Sequence, residues 1–234
     1  MFLDSCHYDS YESIVKGFNM FFKSVFKTNA STTPFCELRD VPLFDIKPIF
    51  CDEMRDTLLG LSPTTSSGYD GIPATFLIKC ADQLCYPLTC IFNLCIERGE
   101  YPDLLKFNNI VPIYKNKGKK NHIDSYRGIS IQPILAKVFE SLINKRLQCH
   151  LKHLISDDQH GFQPNKSTFT NLAVYTDYLT KALDEKAEVH SIYTDFQKAF
   201  DVVPHNLLLL KLKCQFGIQG NMLNLFRSYL TNRS

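Results

Sequence analysis

The sequence predicts an α/β fold, helix-rich with one β-hairpin, and three observations carry that prediction. Apolar residues recur at helical spacing over several long segments. Two β-rich runs, Asn109–Tyr114 and Tyr126–Ile131, flank a basic connection. A third β-rich run, 189–195, ends on a carboxylate. At 234 residues and 44% hydrophobic, the chain can bury a substantial core and reads as one domain plus an appendage.

From 11 to 26, Ile14, Val15, Phe18, Phe22 and Val25 recur at helical spacing, and the polar stretch 28–34 follows as a linker. A short helix is expected over 51–59, then a Gly-, Ser- and Pro-containing loop over 62–73, where Pro73 suits a helix's first turn. Another helix is expected over 85–98, with Pro87 in its first turn and Gly99 as its C-terminal cap. The β-rich pair at 109–114 and 126–131 forms a hairpin whose tip holds Lys115, Lys117, Lys119 and Lys120. Leu135, Val138, Phe139, Leu142, Ile143 and Leu147 then stripe a long helix over 132–151. Ser167 caps a helix reaching 184, the strand 189–195 follows, Gly217 closes a Leu-rich helix, and a last helix spans 221–230.

The net charge is +2 with a pI near 8.0, which excludes a polyelectrolyte; nucleic-acid contact would have to come from local basic patches. The nine cysteines include no Cys-x-x-Cys pair, which favours reduced thiols and an intracellular location, nucleus or cytoplasm. Cys80, Cys85, Cys90 and Cys95 advance about 140° per step on a helix, so they spread around its axis and read as core fillers, not metal ligands. The N-terminus has no basic region followed by an apolar core, and no segment is apolar enough to span a membrane. The sequence specifies no oligomeric state.

Asp195, after an apolar run, is by itself weak evidence of chemistry. Its context, Tyr193-Thr194-Asp195-Phe196-Gln197-Lys198-Ala199-Phe200-Asp201, resembles the first catalytic motif of reverse transcriptases from retrotransposons lacking long terminal repeats. Upstream segments match that family in order. Gly68-Tyr69-Asp70-Gly71-Ile72-Pro73 is similar to its opening segment, with Tyr69 in place of proline. Ile110 to Lys115 is similar to its first fingers strand, and Tyr126-Arg127-Gly128-Ile129-Ser130 to the following strand, with Gly128 in place of proline. Gln159 to Thr168 resembles a further segment, in which Gln163 replaces the usual arginine. His205, Lys211-Leu212, Gly217-Ile218 and Ser228 to Arg233 continue the order, so the resemblance runs from about residue 50 to the last.

The resemblance implies the fingers and partial palm of a right-hand polymerase: residues 1–45 a helical extension and linker, 46–188 a fingers-like region, and 189–234 the start of the palm. It implies that Asp195 is catalytic and ligates magnesium ions with the help of the Phe196 carbonyl. It also implies that Phe200 is the steric gate against a ribose 2′-hydroxyl. Arg127 can fork onto a nucleotide's triphosphate, where position alone suggests a surface salt bridge. Lys115 suits the triphosphate, a template backbone or plain solvation equally; Lys117, Lys119 and Lys120 are nucleic-acid contacts on the same terms. The implied partners are an RNA template, a DNA primer and deoxynucleotide triphosphates.

The family's adjacent Asp pair is not found after Asp195. The one Asp-Asp, Asp157-Asp158, lies upstream and reads as a solvated turn. One carboxylate cannot build a two-metal site, so this polypeptide alone is expected not to polymerise DNA. The alternatives are a nonenzymatic relic that binds RNA or DNA through Lys115, Lys117, Lys119, Lys120 and Arg127, and an unstable product whose half-built sheet leaves apolar surface uncovered.

Overall fold

The computed structural model describes residues 1–3, 6–25, 39–196 and 198–233. The expected linker at 28–34 and Gln197 lie outside the described residues. In chain order the elements are β1 (Phe2–Leu3), β2 (Cys6–His7), α1 (Tyr11–Val25), α2 (Cys51–Leu59), α3 (Ala74–Lys79), α4 (Ala81–Arg98), β3 (Asn109–Tyr114) and β4 (Tyr126–Ile131). They continue with α5 (Ile134–Leu151), α6 (Thr168–Asp184), α7 (His205–Phe216) and α8 (Gly220–Leu230). Helices with two small antiparallel sheets, β1–β2 and β3–β4, fit the α/β class expected of the sequence. The chain divides into two compact units, Met1–Leu147 with Lys198–Ser234, and Gln148–Gln197.

The larger unit is built around a helical core. Phe139 of α5 is fully buried and stacks on Phe92 of α4 at 4.2 Å, with Tyr101 on it at 5.5 Å. Met54 and Leu58 of α2, Leu142 of α5, and Ile218 and Leu225 at α8 complete it. Each such side chain contributes about 1.5–3 kcal/mol by leaving water. Arg146 of α5 ties the N-terminal approach of α2 into place. Its guanidinium donates to both carboxylate oxygens of Glu53, at 2.9 and 2.6 Å, and to the carbonyls of Lys47 (2.8 Å) and Pro48 (2.9 Å). That fork holds the Glu53 carboxyl below the usual carboxylate range. At the far end of α5, Arg233 donates to Gln132 (3.1 Å) and Glu140 (3.3 Å) and lies 4.2 Å over the Tyr229 ring.

Gly99 and Gly217 end α4 and α7 in the left-handed conformation, at φ 69° and 66°, as their positions in the sequence suggested. The expected start of α4 is corrected: it begins at Ala81, so Pro87 sits inside the helix and not in its first turn. The helix gives up one backbone hydrogen bond there. Of the four cysteines read as core fillers, Cys85 is buried, Cys80 and Cys95 are half-buried, and Cys90 is exposed. Five-residue spacing turns one of them outward.

In the smaller unit, Ser167 caps α6 by a reciprocal pair with Thr170: the Thr170 N–H donates to Ser167 Oγ, and the Ser167 N–H to Thr170 Oγ1. The expected strand at 189–195 is a second correction, since residues 187–196 are neither strand nor helix. A strand is stabilised by a ladder to a neighbour, and residues 189–195 have none among the described residues.

Candidate nucleotide and nucleic-acid site

β3 and β4 pair in the register Val111↔Ile129, Pro112↔Gly128, Ile113↔Arg127 and Tyr114↔Tyr126. Alternation along both strands gives the hairpin two faces. One carries Val111, Ile113, Ile129 and Arg127, all exposed. The other carries Tyr114, Tyr126 and Gly128; there Phe18 of α1 meets the Tyr126 ring edge-on at 5.3 Å. The Arg127 side chain makes no hydrogen bond or ion pair among the described residues, so the surface salt bridge that its position suggested is absent there. Its guanidinium donors have no protein partner among the described residues.

The tip is ordered by its own polar groups. Lys115 takes its N–H to the Ser125 carbonyl (2.9 Å) and its Nζ to the Asp124 carbonyl (2.7 Å). Tyr114 and Tyr126 donate their hydroxyls to the carbonyls of Gly118 (2.6 Å) and Lys120 (2.8 Å). Lys120 lies 5.7 Å over the Tyr114 ring. Lys117 and Lys119 are exposed and make no side-chain hydrogen bond or ion pair among the described residues. Of the tip lysines, then, Lys115 has a structural job, and Lys117 and Lys119 have the freest charge.

The opening segment at 68–73 forms a turn in which the Ile72 N–H donates to Asp70 Oδ1 (3.2 Å) and Ser67 bridges Pro73. Tyr69, in place of proline, packs its ring 5.7 Å from Phe107, just ahead of β3.

Asp195 and Phe196 belong to the smaller unit, and Lys115, Arg127 and Phe200 to the larger. Asp195 is exposed and makes no hydrogen bond or ion pair among the described residues. The segment before it is tethered to α6 by hydroxyls: Tyr193 donates to Tyr175 Oη at 3.0 Å, and Tyr175 Oη lies 2.6 Å from Ser191 Oγ. Tyr175, unremarked in the sequence, was identifiable only as an aromatic on the helix. Phe196 and Phe200 are 80% and 79% exposed, so Phe200 is not a core residue. It stands in a turn closed by the Asp201 N–H on the Lys198 carbonyl (3.0 Å). Asp157-Asp158 is the solvated turn expected, with the Asp158 N–H donating to Ser156 Oγ at 3.2 Å.

Among the described residues no three His, Cys, Asp or Glu side chains gather where they could hold a metal ion. Asp195 is exposed, and no such group is gathered around it among the described residues. No described helix is long and apolar enough to cross a membrane.

The sequence model of the family described as reverse transcriptase (RNA-dependent DNA polymerase) matches residues 113–233. The chain is 29% identical over 190 residues to the probable RNA-directed DNA polymerase from transposon BS of Drosophila melanogaster, covering 80% of this chain and 21% of that protein. It is 29% identical over 188 residues to the RNA-directed DNA polymerase from mobile element jockey of Drosophila funebris, covering 80% and 20%. To the transposon TX1 uncharacterized 149 kDa protein of Xenopus laevis it is 27% identical over 173 residues, covering 74% and 13%. The chain thus spans about a fifth or less of the length of these relatives. Since the matched stretch takes in both Arg127 and Asp195 and more than half of the residues, the chain belongs to the reverse transcriptase (RNA-dependent DNA polymerase) family, among relatives from non-LTR retrotransposons.

Proposed function

We propose that this chain supplies the fingers and the opening of the palm to an RNA-directed DNA polymerase of a non-LTR retrotransposon. Residues 46–188 form the fingers-like region, 189–234 begin the palm, and 1–45 are an extension. The observation that carries the reading is that a single family match, over residues 113–233, spans both Arg127 and Asp195. The exposed, unpaired guanidinium on the hairpin's open face supports a triphosphate-binding role for Arg127, since its planar fork suits two phosphate oxygens at once. Lys117, Lys119 and Lys120 would meet the phosphates of an RNA template and DNA primer, and Lys115 would hold the tip that presents them. Phe200 would sit against the sugar of the incoming deoxynucleotide.

Asp195 and the Phe196 carbonyl would be magnesium ligands in a complete domain, where the metal stabilises charge on the transferred phosphoryl group. Because no metal-holding group of carboxylates gathers at Asp195 among the described residues, the 234-residue polypeptide by itself is expected to extend no primer.

The test is primer extension on poly(rA)·oligo(dT), first by this chain and then by a chimaera in which residues 113–233 replace the matched segment of the jockey polymerase. The expected result is an inactive chain and an active chimaera that Asp195→Ala silences. Extension by the chain alone that vanishes in Asp195→Ala would overturn its inactivity, and a chimaera indifferent to Asp195→Ala would overturn the catalytic assignment. The exposed lysines favour one second reading, nonenzymatic binding of RNA or DNA. It requires affinity for the same duplex that falls with salt and on neutralising Lys117 and Lys119.

A further inference from the structure

The hairpin that carries Arg127 and the basic tip is held by a segment far from it in sequence. The Phe2 N–H donates to the Asn121 carbonyl at 2.7 Å, and the Phe2 ring lies 5.7 Å from that of His122. Phe18 of α1 packs on Tyr126 at 5.3 Å and on Phe22 at 5.8 Å. Two glycines mark the closest approaches. Gly17 is buried in the middle of α1, where glycine weakens a helix relative to alanine. A Cβ there would lie 2.7 Å from Ile123 Cδ1 and 3.2 Å from the Tyr8 ring, and Ile123 is fully buried, with little room to yield. Gly128 sits inside β4, where glycine is equally unfavourable. A Cβ there would lie 2.9 Å from Ile110 Cγ2 and 3.3 Å from the Phe22 ring.

Both residues work against the local element that contains them, and both lie where α1 meets the hairpin or its tip. We infer that α1 is a brace for the β3–β4 hairpin, docked through Gly17 and Gly128, and that it positions Arg127 and the tip lysines from the opposite face. The Phe22 ring lies 3.3 Å from where a Cβ at position 128 would stand, so a shift of α1 bears on the strand one peptide away from the Arg127 backbone. Arg127's part rests on the nucleotide-binding reading above, whereas the docking of α1 does not.

The test uses the whole 234-residue chain, with amide hydrogen exchange over 109–131 and affinity for fluorescein-labelled poly(rA)·oligo(dT). Gly17→Ala drives a methyl into Ile123 and is expected to speed hairpin exchange about fivefold and to weaken duplex binding about threefold. Ile123→Val, which removes the clashing Cδ1, is expected to restore both when combined with Gly17→Ala. Tyr11→Ser, at a 90% exposed position of the same helix, is the control expected to change neither. Unchanged hairpin exchange in Gly17→Ala, or failure of Ile123→Val to rescue it, overturns the brace. Rescue-sensitive exchange with duplex affinity lowered by Lys117→Ala/Lys119→Ala but not by Gly17→Ala overturns the positioning role. Affinity that no variant alters, the Lys117→Ala/Lys119→Ala pair included, defeats the nucleic-acid reading and leaves the docking standing.

Discussion

α5 and α6 are helices of 18 and 17 residues that look alike in sequence, each with apolar residues at helical spacing and a polar remainder. They differ in what covers them. α5 buries Ile134, Ala136, Val138, Phe139, Leu142 and Ile143, whereas α6 buries none of its residues and leaves Phe169, Leu172, Tyr178 and Leu183 at 77%, 60%, 62% and 70% exposure. Periodicity identifies a face that is stable when covered; it does not say what covers it. The same holds for 189–195, whose composition suits a strand but which has no ladder among the described residues.

The sharpest test of this contrast compares one phenylalanine from each helix. Phe139→Ala removes a fully buried ring stacked on Phe92 and Tyr101, and is expected to cost about 3–5 kcal/mol. Phe169→Ala, at a 77% exposed position, is expected to stay within about 0.5 kcal/mol of the parent. Urea unfolding followed by circular dichroism checks both. Equal losses would mean that α6 has cover of its own and would break the comparison.

Next in size is the polar anchor of α5. Arg146→Ala leaves Glu53 and two carbonyls without their donor and is expected to cost about 2 kcal/mol, less than a fully buried pair would, because solvent still reaches both side chains. The pair also fixes a pH dependence. The folded Glu53 carboxyl is held below its ordinary value, so its contribution is fully present above the unfolded pKa of about 4.3 and is lost as pH falls through the folded value. The urea midpoint of the parent should therefore drop more between pH 7 and pH 3 than that of Glu53→Gln. Parallel curves would show that the fork does not contribute through ionisation.

Features set by local chemistry were legible in the sequence: α2 to the residue, the β3–β4 pair, the Ser167 cap, and the two left-handed glycines closing α4 and α7. Each depends on residues a few positions apart. What was illegible depends on distant partners. The Arg146–Glu53 fork joins residues 93 apart, and the docking of α1 joins Gly17 to Ile123. Pro87 misled the placement of α4 because a proline normally marks a first turn, whereas here the residues from Ala81 onward continue the helix through it. For the candidate site, chemistry was legible residue by residue, but not that Arg127 would be unpaired or that Lys115 would be spent on the Asp124 carbonyl.

A smaller effect is expected at the start of α6. Ser167→Ala removes half of the reciprocal cap and should destabilise the first turns by about 1 kcal/mol, seen as roughly fivefold faster amide exchange near Thr170 and Asn171. The unfolding midpoint of the α5 core should not move with it. A concerted shift of both would show that the helices melt as one cooperative unit.

The smallest structural effect is predicted for the residue with the largest proposed functional one. Asp195→Asn keeps the side chain's shape and removes its charge, and its carboxylate has no partner among the described residues. The unfolding midpoint should therefore be unchanged at pH 7, while extension by the jockey chimaera is abolished. That pairing separates a ligand-facing carboxylate from a structural one, because a buried or paired carboxylate would register in stability first. A lowered midpoint would give Asp195 a structural partner, and loss of extension could then no longer be assigned to metal binding alone. An unchanged midpoint with extension intact would leave the exposed carboxylate without a role in catalysis.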